Sequence, residues 1–509
     1  MRGTRYFKLL MLAVLAFGCR STPATIERSS YYCAANSPPM GLAKTGQISE
    51  VVTASASTIV EASDIKGIAV EVTESTKYQS IDLTTALMMT TGQNPQIAFA
   101  RSRIEEALAQ VDRANALKLP SLRAGVNYNK HEGRIQDVAG TVIETSRGSF
   151  YSGLGANAVG AGSPAVPGLV SQFHFADAIF QPRIAQRTAH ARQAGALSTT
   201  NDQLLATAVA YIELLRSEQE LSMVAEIVQR AEQLAQATGE FSKAGEGLVS
   251  DHDRARTELA LRKIEQAQSE EAAAVASARL AEIIRWDSSQ RLMPAEPQLV
   301  PMDIFSDNAT PQELVALALS NRPELAESRH LVGEAIARLK REQHAPLVPS
   351  VLLAASYGGL GGGLGGELIN YGDRFDADAV AYWELRQLGA GEKAARREAS
   401  SKVTQARLRE LATMDRVARE VNEANAQITA RKKQITLAQE AVEAAVNSSE
   451  KNWDRIRNGK GLPIEALQAI QALANAQREY IRSVAGYNVA QFTLQRSLGW
   501  PINEPSVEP

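Results

Sequence analysis

The chain has 509 residues and a formal net charge of −3, and 44% of its residues are hydrophobic although only 5% are aromatic. The small net charge gives no electrostatic basis for binding nucleic acid. Proline is absent from 183 to 293 and from 350 to 462, and these stretches are rich in Ala, Glu, Gln, Arg and Leu, a composition typical of long helices. Beyond the N-terminus no segment has the roughly 18 continuous apolar residues of a membrane helix, so we expect any membrane crossing to be made by strands.

The N-terminus has the features of a secretory signal peptide. Three basic residues precede a short apolar stretch, residues 9–18, which is too short to span a membrane. This stretch runs into Gly18 and Cys19, a sequence that resembles a bacterial lipobox, in which the cysteine is acylated. We therefore predict lipidation at Cys19, with ordinary signal cleavage nearby as the alternative. Cys33 is the only other cysteine in the sequence, so acylation of Cys19 would rule out a disulfide framework.

The first half of the chain then predicts helix, strand, loop, strand and long helix. Residues 82–117 have helical character, with Asp82 as N-cap and Pro120 as stop signal. Gly- and Ser-rich sequence extends to about residue 170, and a second strand precedes a helix over about 183–243. The first strand is indicated by alternating apolar residues at Leu122, Ala124, Val126 and Tyr128.

The second half repeats this order. LPSLRAGVNY at 119–128 matches VPSVLLAASY at 348–357, and GEGL at 245–248 matches GKGL at 459–462. The residue numbers of the first pair differ by 229 and those of the second pair by 214, so the second copy is shorter by fifteen residues between the two motifs. Its predicted elements are a helix over 311–344, a strand over 350–357, a flexible Gly-rich loop over 358–368, a strand near 379–385 and a helix over about 391–458.

The long helices carry apolar residues at alternating spacings of three and four. This period is typical of a coiled-coil seam with a left-handed supercoil. Helices of roughly 60–70 residues are about 90–100 Å long, so they must pack on one another. The seam residues are Leu221, Val224, Val228, Ala231 and Ala235 in the first half, and Val417, Val421, Ala424, Ile428, Ile435, Ala438, Val442 and Ala445 in the second.

Four short strands in one chain cannot close a barrel, which needs about eight. An open sheet edge is not tolerated in lipid, because every backbone N–H and C=O must be satisfied there. We therefore expect the chain to oligomerise if it enters a membrane. Two chains would supply eight strands and three would supply twelve, and the count alone does not choose between them.

No residue pattern indicates catalysis, a cofactor or a metal site. The histidines lack metal-ligand spacing, and the acidic residues around His252 suit the positive end of a helix dipole. The Gly run at 358–368 is not followed by the Lys and Ser or Thr of a phosphate-binding loop. The sequence therefore predicts a protein that is not an enzyme.

Over residues 82–501 the organisation resembles the TolC-type outer-membrane efflux protein family. The matching features are paired helix starts at 94–95 and 322–323, paired strand entries at 120–121 and 349–350, and a strand-to-helix passage at 383–389. Two helix–turn–helix tips add to the match. The family pattern of Arg, Gly and a following acidic residue is complete in the second tip, at Arg455, Gly459 and Glu465, whereas the first tip has Phe241, Gly245 and Asp251.

The resemblance implies a mainly α fold with a small β part, built from duplicated strand pairs and long coiled-coil helices. It implies a homotrimer whose twelve strands form one β-barrel through the outer membrane, continued by an α-helical tunnel in the periplasm. The implied partners are a periplasmic membrane-fusion adaptor, an inner-membrane pump and outer-membrane lipid. Glu465 would face the lumen near the periplasmic entrance, one turn before Gln468; a solvated acid at a helix start is the alternative for Glu465.

The resemblance also implies a function and a division of the chain. The expected function is a passive exit duct of a tripartite efflux or secretion system, and the alternative is a non-conducting, lipid-anchored periplasmic rod. Both tips would dock the adaptor, through Gly245, Gly247, Leu248, Arg455, Gly459, Gly461 and Leu462. The expected segments are a signal peptide over 1–19, an N-terminal tether or low-order segment over 20–81, a first repeat over 82–300, a second repeat over 310–501 and a tail over 502–509.

Overall fold

The computed structural model describes residues 78–502 except 124, 155–168, 288, 306–308, 366, 368 and 459. The helices of this part are α1 (Leu83–Gln93), α2 (Pro95–Ala116), α3 (Phe175–Lys243), α4 (Val249–Ile284), α5 (Pro311–Asn321), α6 (Pro323–His344), α7 (Ala390–Arg457) and α8 (Pro463–Ser497). The strands are β1 (Tyr78–Ile81), β2 (Ser121–Arg123), β3 (Gly125–Gln136), β4 (Val142–Leu154), β5 (Leu169–His174), β6 (Arg291–Pro294), β7 (Ser350–Leu364) and β8 (Gly372–Tyr382). Two short helices, a strand pair and two long helices thus occur twice in the same order.

Each predicted short helix is in fact two helices with a joint before a proline. The segment predicted over 82–117 breaks at Asn94, and the one over 311–344 breaks at Arg322. A proline at the first helical position is favourable, but the residue before it is driven out of the helical conformation. Asp82 does cap α1, since its side chain accepts from the Thr85 N–H at 3.2 Å.

The main sheet has four strand lines, although it is assembled from six strands. Ala355 of β7 pairs with Leu154 of β4 and also with Leu169 of β5. β4 and β5 are therefore two parts of one line, and β2 and β3 pair with these parts as another line. β7 and β8 complete the antiparallel order β2/β3, β5/β4, β7, β8. The four predicted strands correspond to the four strand lines of this sheet, whereas β1 and β6 among the described residues were not predicted.

The register also locates the length difference between the repeats. Leu154 and Leu169, the two residues of the β4/β5 line that oppose Ala355, are separated by fifteen positions along the chain. In the first hairpin Tyr128 pairs with Phe150, whereas in the second Tyr357 pairs with Phe375, so the second hairpin is shorter by four residues. This hairpin difference is offset by a longer connection between β8 and α7. The net difference between the repeats is therefore equal to the insertion between β4 and β5.

Two predictions about the sheet were wrong. The sequence predicts a loop after the first strand, but residues 129–154 form most of the β3–β4 hairpin. The sequence also predicts a flexible loop at the Gly run over 358–368, but β7 continues through Leu364. A Cβ on Gly358 would lie 2.1 Å from the Phe150 carbonyl oxygen, and one on Gly362 would lie 2.6 Å from the Ser146 carbonyl oxygen. These glycines allow close strand approach, which a local sequence pattern does not reveal.

A second, small sheet joins the ends of the first repeat. β1 pairs in parallel with β6, from Tyr78 opposite Arg291 to Ile81 opposite Pro294. The residues of β1 belong to the segment predicted as a low-order tether, and that prediction was wrong for these four residues. These residues form a strand because they pair with β6, at the far end of the repeat beyond α4. A pairing between residues so far apart leaves no signal in the local sequence pattern.

The helical core follows the predicted seams. In α7, Val417, Val421 and Ala424 are at most 1% exposed, and in α3 Val224, Val228 and Ala231 are buried. α3 also buries Met223, Ile227 and Leu234, because it packs between α4 and α8 and needs two apolar stripes. No described helix combines the length and the apolar character that a membrane crossing requires.

Candidate functional site

One face of the main sheet is apolar and exposed, and we call it the apolar face. Val126, Tyr357 and Phe375 lie at one level of the sheet by the register of successive strand pairs, so they share this face. Their neighbours two residues along each strand belong to the same face. Its exposed members are Leu122 (68%), Val126 (67%), Tyr128 (70%), Leu353 (44%), Tyr357 (57%) and Phe375 (58%). The predicted outward alternation of Leu122, Val126 and Tyr128 agrees with this exposure.

Aromatic residues border the apolar face at both ends. Tyr128, Tyr357 and Phe375 lie towards the hairpins, where the charged pair of Lys130 and Glu132 follows at 2.9 Å. Trp383, 62% exposed, follows the other end of β8. The stretch from Phe375 to Trp383 corresponds to about 26 Å of strand. An apolar band of about this height with aromatic borders is the signature of a sheet that spans a membrane.

The opposite face of the sheet carries charged residues on β8, although Leu360, Leu364 and Val380 also lie on this face. Arg374, Asp376 and Asp378 alternate on this face of β8, and the Arg374 Nε and an Asp376 carboxylate oxygen lie 2.9 Å apart. Near the helices, Gln172 donates to the Tyr382 hydroxyl at 3.1 Å. The sheet therefore separates an apolar environment from one that suits charged groups.

The two helix tips share a pattern of backbone hydrogen bonds. In the first tip, residues 244–248, the Glu246 and Gly247 N–H groups both donate to the Phe241 carbonyl at 3.0 Å. In the second tip, residues 458–462, the Lys460 and Gly461 N–H groups donate to the Arg455 carbonyl at 2.8 and 3.0 Å. These bonds satisfy carbonyls that would otherwise be orphaned at the helix ends.

Glycine is needed at the tip positions for two different reasons, a positive φ and a close backbone approach. Gly245 has φ +78°, which agrees with the prediction of positive φ at the turn. A Cβ on Gly247 would lie 3.0 Å from Phe241 Cβ, and one on Gly461 would lie 2.9 Å from the Ile456 nitrogen. Gly459 lies outside the described residues. Both turns therefore require glycine, which has no side chain, at these positions.

The residues just after each turn expose apolar side chains. Leu248 is 67% exposed and Leu462 is 61% exposed, each at the N-cap position of the following helix. Phe241 packs against the buried core, whereas Arg455, its counterpart in the second tip, is an exposed cation. The two tips thus share a shape and differ in charge.

The acidic residue of the second tip is paired within its own chain. An Arg455 Nη1 and a Glu465 carboxylate oxygen lie 3.3 Å apart, and the two side chains are 54% and 37% exposed. Such a pair contributes about 0–1 kcal/mol, so it breaks easily. Gln468, one turn further, is exposed. Asp251 of the first tip has a similar contact with Arg254 at 3.5 Å.

A buried ion network at the α5–α6 joint was not predicted. Arg322, with its side chain 2% exposed, contacts Glu420 of α7 at 2.5 Å and Glu324 at 3.2 Å. Arg496 of α8 contacts Glu420 at 2.9 Å, Glu324 at 2.8 Å and Asp202 of α3 at 2.5 Å. Four helices are therefore tied together by two arginines and three carboxylates. The only sequence signal was Arg322 before a proline.

The network leaves one carboxylate in excess over the arginines. Burial, and then the negative charge of Glu324, raise the pKa of Asp202 to about 6, even though Arg496 contacts one of its oxygens. Asn94 occupies the matching joint of the first repeat, and its hydrogen-bond partners there are uncharged groups. Its amide donates to the Gln203 side chain and to the Ile283 carbonyl, both at 3.1 Å.

The histidines lie in helix contacts. His252 Nδ1 lies 3.2 Å from the Ala235 carbonyl oxygen, so its contact is with the neighbouring helix. His190 and His330 stack between α3 and α6 with ring centroids 5.2 Å apart. Burial, the neighbouring His190 and Arg187 lower the pKa of His330. Within the described residues, no group of three or more His, Cys, Asp or Glu could hold a metal ion.

Comparisons with known proteins agree with this architecture. Residues 314–500 match the outer membrane efflux protein family, and a comparison with curated protein sequences finds no match. The outer-membrane channel OprN has a similar structure, with a TM-score of 0.66 and 17% identity over 82% of this chain and 89% of that one. The outer membrane protein VceC of Vibrio cholerae gives 0.64 and 16% over 83% and 97%. The CmeC outer membrane channel of Campylobacter jejuni gives 0.67 and 14% over 83% and 87%.

The fold is thus that of outer-membrane channels with a strand part and long helices. Residues 314–500, in the second half of the chain, match the model of the outer membrane efflux protein family. The predicted family, fold class and outer-membrane location are confirmed, and an efflux channel rather than an enzyme is what this family comprises. The family match favours the duct over the rod. The roles predicted for individual residues remain predictions, and Cys19 lies outside the described residues.

Proposed function

We propose that the chain is the exit duct of a tripartite efflux or secretion system and acts as a homotrimer. The observation that carries this proposal is the main sheet, which has an apolar face with aromatic borders and two unpaired edges. Among the described strands, the β2/β3 line and β8 are paired on one side only. Lipid does not tolerate such edges, and three copies with four strand lines each would close twelve strands.

The helices support the same assembly. α4 packs on α3, α3 on α8, and α8 on α7, so α4 and α7 form the two sides of this layer. Both carry exposed apolar residues in pairs three apart, Leu261 with Ile264 on α4 and Leu408 with Leu411 on α7. In the trimer α4 of one copy packs against α7 of the next, which would cover these pairs. The helices then enclose a duct in line with the face of the sheets that carries the charged residues of β8.

The tips are the docking surface for a periplasmic adaptor in this proposal. Leu248 and Leu462 are exposed at the ends of paired helices, about 100 Å of helix away from the sheet. A helical hairpin of the adaptor with matching apolar residues would cover them. The weak pair of Arg455 and Glu465 lies at the second tip. Its disruption would accompany opening, with Glu465 and Gln468 then lining the entrance.

The remaining parts of the proposal concern anchoring and energy. Acylated Cys19 would add a lipid anchor in the outer membrane. The duct itself is passive, and an inner-membrane pump joined through the adaptor supplies the energy.

The proposal is tested by charging both tips. Leu248→Asp together with Leu462→Asp should abolish export of a known cargo and crosslinking of the tips to the adaptor. Met88→Asp is the matched control, because Met88 is also 67% exposed but lies on α1. The double variant should keep the trimer mass in mild detergent, since the sheet is remote from the change. Full export with both tips charged would show that the adaptor does not dock there.

A further inference from the structure

The connection between β8 and α7 has an unusual backbone. We call residues 383–389 the β8–α7 connector. Gln387, Leu388 and Gly389 all have positive φ, at 45°, 54° and 89°. Only glycine adopts this region without strain, and two consecutive non-glycine residues there require support from their surroundings.

A set of charged contacts supplies that support. The backbone N–H of Arg386 donates to a Glu392 carboxylate oxygen at 2.8 Å, and its Nε donates to the same oxygen at 3.1 Å. Arg386 Nη2 donates to Glu342 at 2.9 Å. Arg341 then joins Glu342, at 2.6 Å, to Asp177, at 2.7 Å. The connector is therefore bonded directly to α7 and α6, and α6 in turn is bonded to α3 through Arg341.

This rigid connector exposes an apolar side chain. Leu388 is 95% exposed, and Trp383 and Leu385 are 62% and 61% exposed. The first repeat has no such connector, since β5 ends at His174 and α3 begins at Phe175. The fold can thus join strand to helix without these residues. A strained turn that exposes a leucine side chain almost completely suggests that another apolar surface covers this leucine.

We propose that Leu388 inserts into the periplasmic-side leaflet of the outer membrane. The connector continues from β8, whose apolar face bears Phe375 and is followed by Trp383 at the border that tryptophan favours in membrane proteins. The exposed Leu347, between α6 and β7, adds to the apolar surface at this end of the sheet. Lipid therefore meets the apolar face and the connector as one continuous surface, and α7 is fixed at the membrane by the connector that precedes it.

This inference rests on the sheet spanning the membrane, and the experiment separates the two. In a Cys33→Ser background, a nitroxide is attached to Leu388→Cys, Leu353→Cys or Leu248→Cys of the full chain in lipid vesicles. Collision with oxygen, which is concentrated in lipid, is compared with collision with a water-soluble nickel chelate. We expect the label at 388 to favour oxygen as the label at 353 does, and the label at 248 to favour the chelate.

Each outcome decides one claim. A label at 388 that collides mainly with the chelate, or that is immobilised and reached by neither agent, overturns the inference; the second result would indicate a contact with another copy of the chain. If the label at 353 also favours the chelate, the membrane-spanning sheet itself is refuted. Glu392→Ala should release the connector and increase the mobility of the label at 388, whereas Glu392→Gln, which keeps an acceptor for the Arg386 N–H, should change it less.

Discussion

Replacing Arg322 with methionine is expected to destabilise the helical part of the protein by about 3 kcal/mol, the lower end of the range for breaking a buried ion pair. The side chain of Arg322 is 2% exposed and neutralises Glu420 and Glu324 at the joint before α6. Methionine retains much of the apolar stem but supplies no positive charge. Arg496 would remain as the single cation for three carboxylates.

The lower end of the range follows from the exposure of the carboxylates. Glu420 and Glu324 are 25% and 16% exposed, so water partly solvates them when the guanidinium is lost. The Arg329–Glu410 pair provides a matched control, because it also joins α6 to α7 but is longer, at 3.7 Å, with Arg329 55% exposed. Arg329→Met should cost less than about 1 kcal/mol.

The assay is urea unfolding of the detergent-solubilised protein, followed by the helical circular dichroism signal, with the slope of free energy against urea checked for each variant. Arg322→Lys should fall between wild type and Arg322→Met, because an ammonium cannot bind two carboxylates in the fork geometry of a guanidinium. Equal free energies of unfolding for Arg322→Met and Arg329→Met would refute the reasoning.

Three further predictions concern a histidine, a turn and the N-terminus. The lowered pKa of His330 means that its contribution to stability is complete above the ordinary value of 6.5 and is lost as the pH falls through the lower folded-state value; His330→Phe should therefore reduce the loss of unfolding free energy on acidification, measured by the same urea assay. Gly245→Ala should destabilise the first tip by about 1–2 kcal/mol because of its positive φ, seen as faster amide exchange at 244–248, whereas Gly92→Ala in α1 should slow local exchange. Cys19→Ala should remove the lipid mass from the mature protein, and an unmodified N-terminus beyond residue 19 in the wild type would contradict lipidation.

Features encoded by local period or by duplication could be predicted from the sequence. The three-and-four spacing identified Val417, Val421 and Ala424 as a buried seam. The change in offset between the repeats indicated a length difference, and the strand register places an insertion of that length between Leu154 and Leu169. Both signals can be read from the sequence because each depends on the order of residues along the chain and not on contacts between distant segments.

Features that depend on distant partners could not be predicted. In the sequence Arg322 cannot be distinguished from an ordinary surface arginine, because its partner Glu420 lies on a different helix. The Gly run has the composition of a loop. Its place in a strand depends on β4, whose backbone leaves no room for side chains at these positions. The tips are an intermediate case. Their glycines indicated the turn, but the contact between Arg455 and Glu465 required the folded geometry.

In the proposed trimer, three copies close one sheet by pairing β8 of each copy with the β2/β3 line of the next. In a Cys33→Ser background, Leu122→Cys and Ala379→Cys place one thiol on each edge line, and a short bifunctional thiol reagent is added to the protein in lipid. We expect denatured bands of one, two and three chains, with nothing larger. A series that ends at two chains, continues beyond three, or shows no crosslink would contradict this pairing.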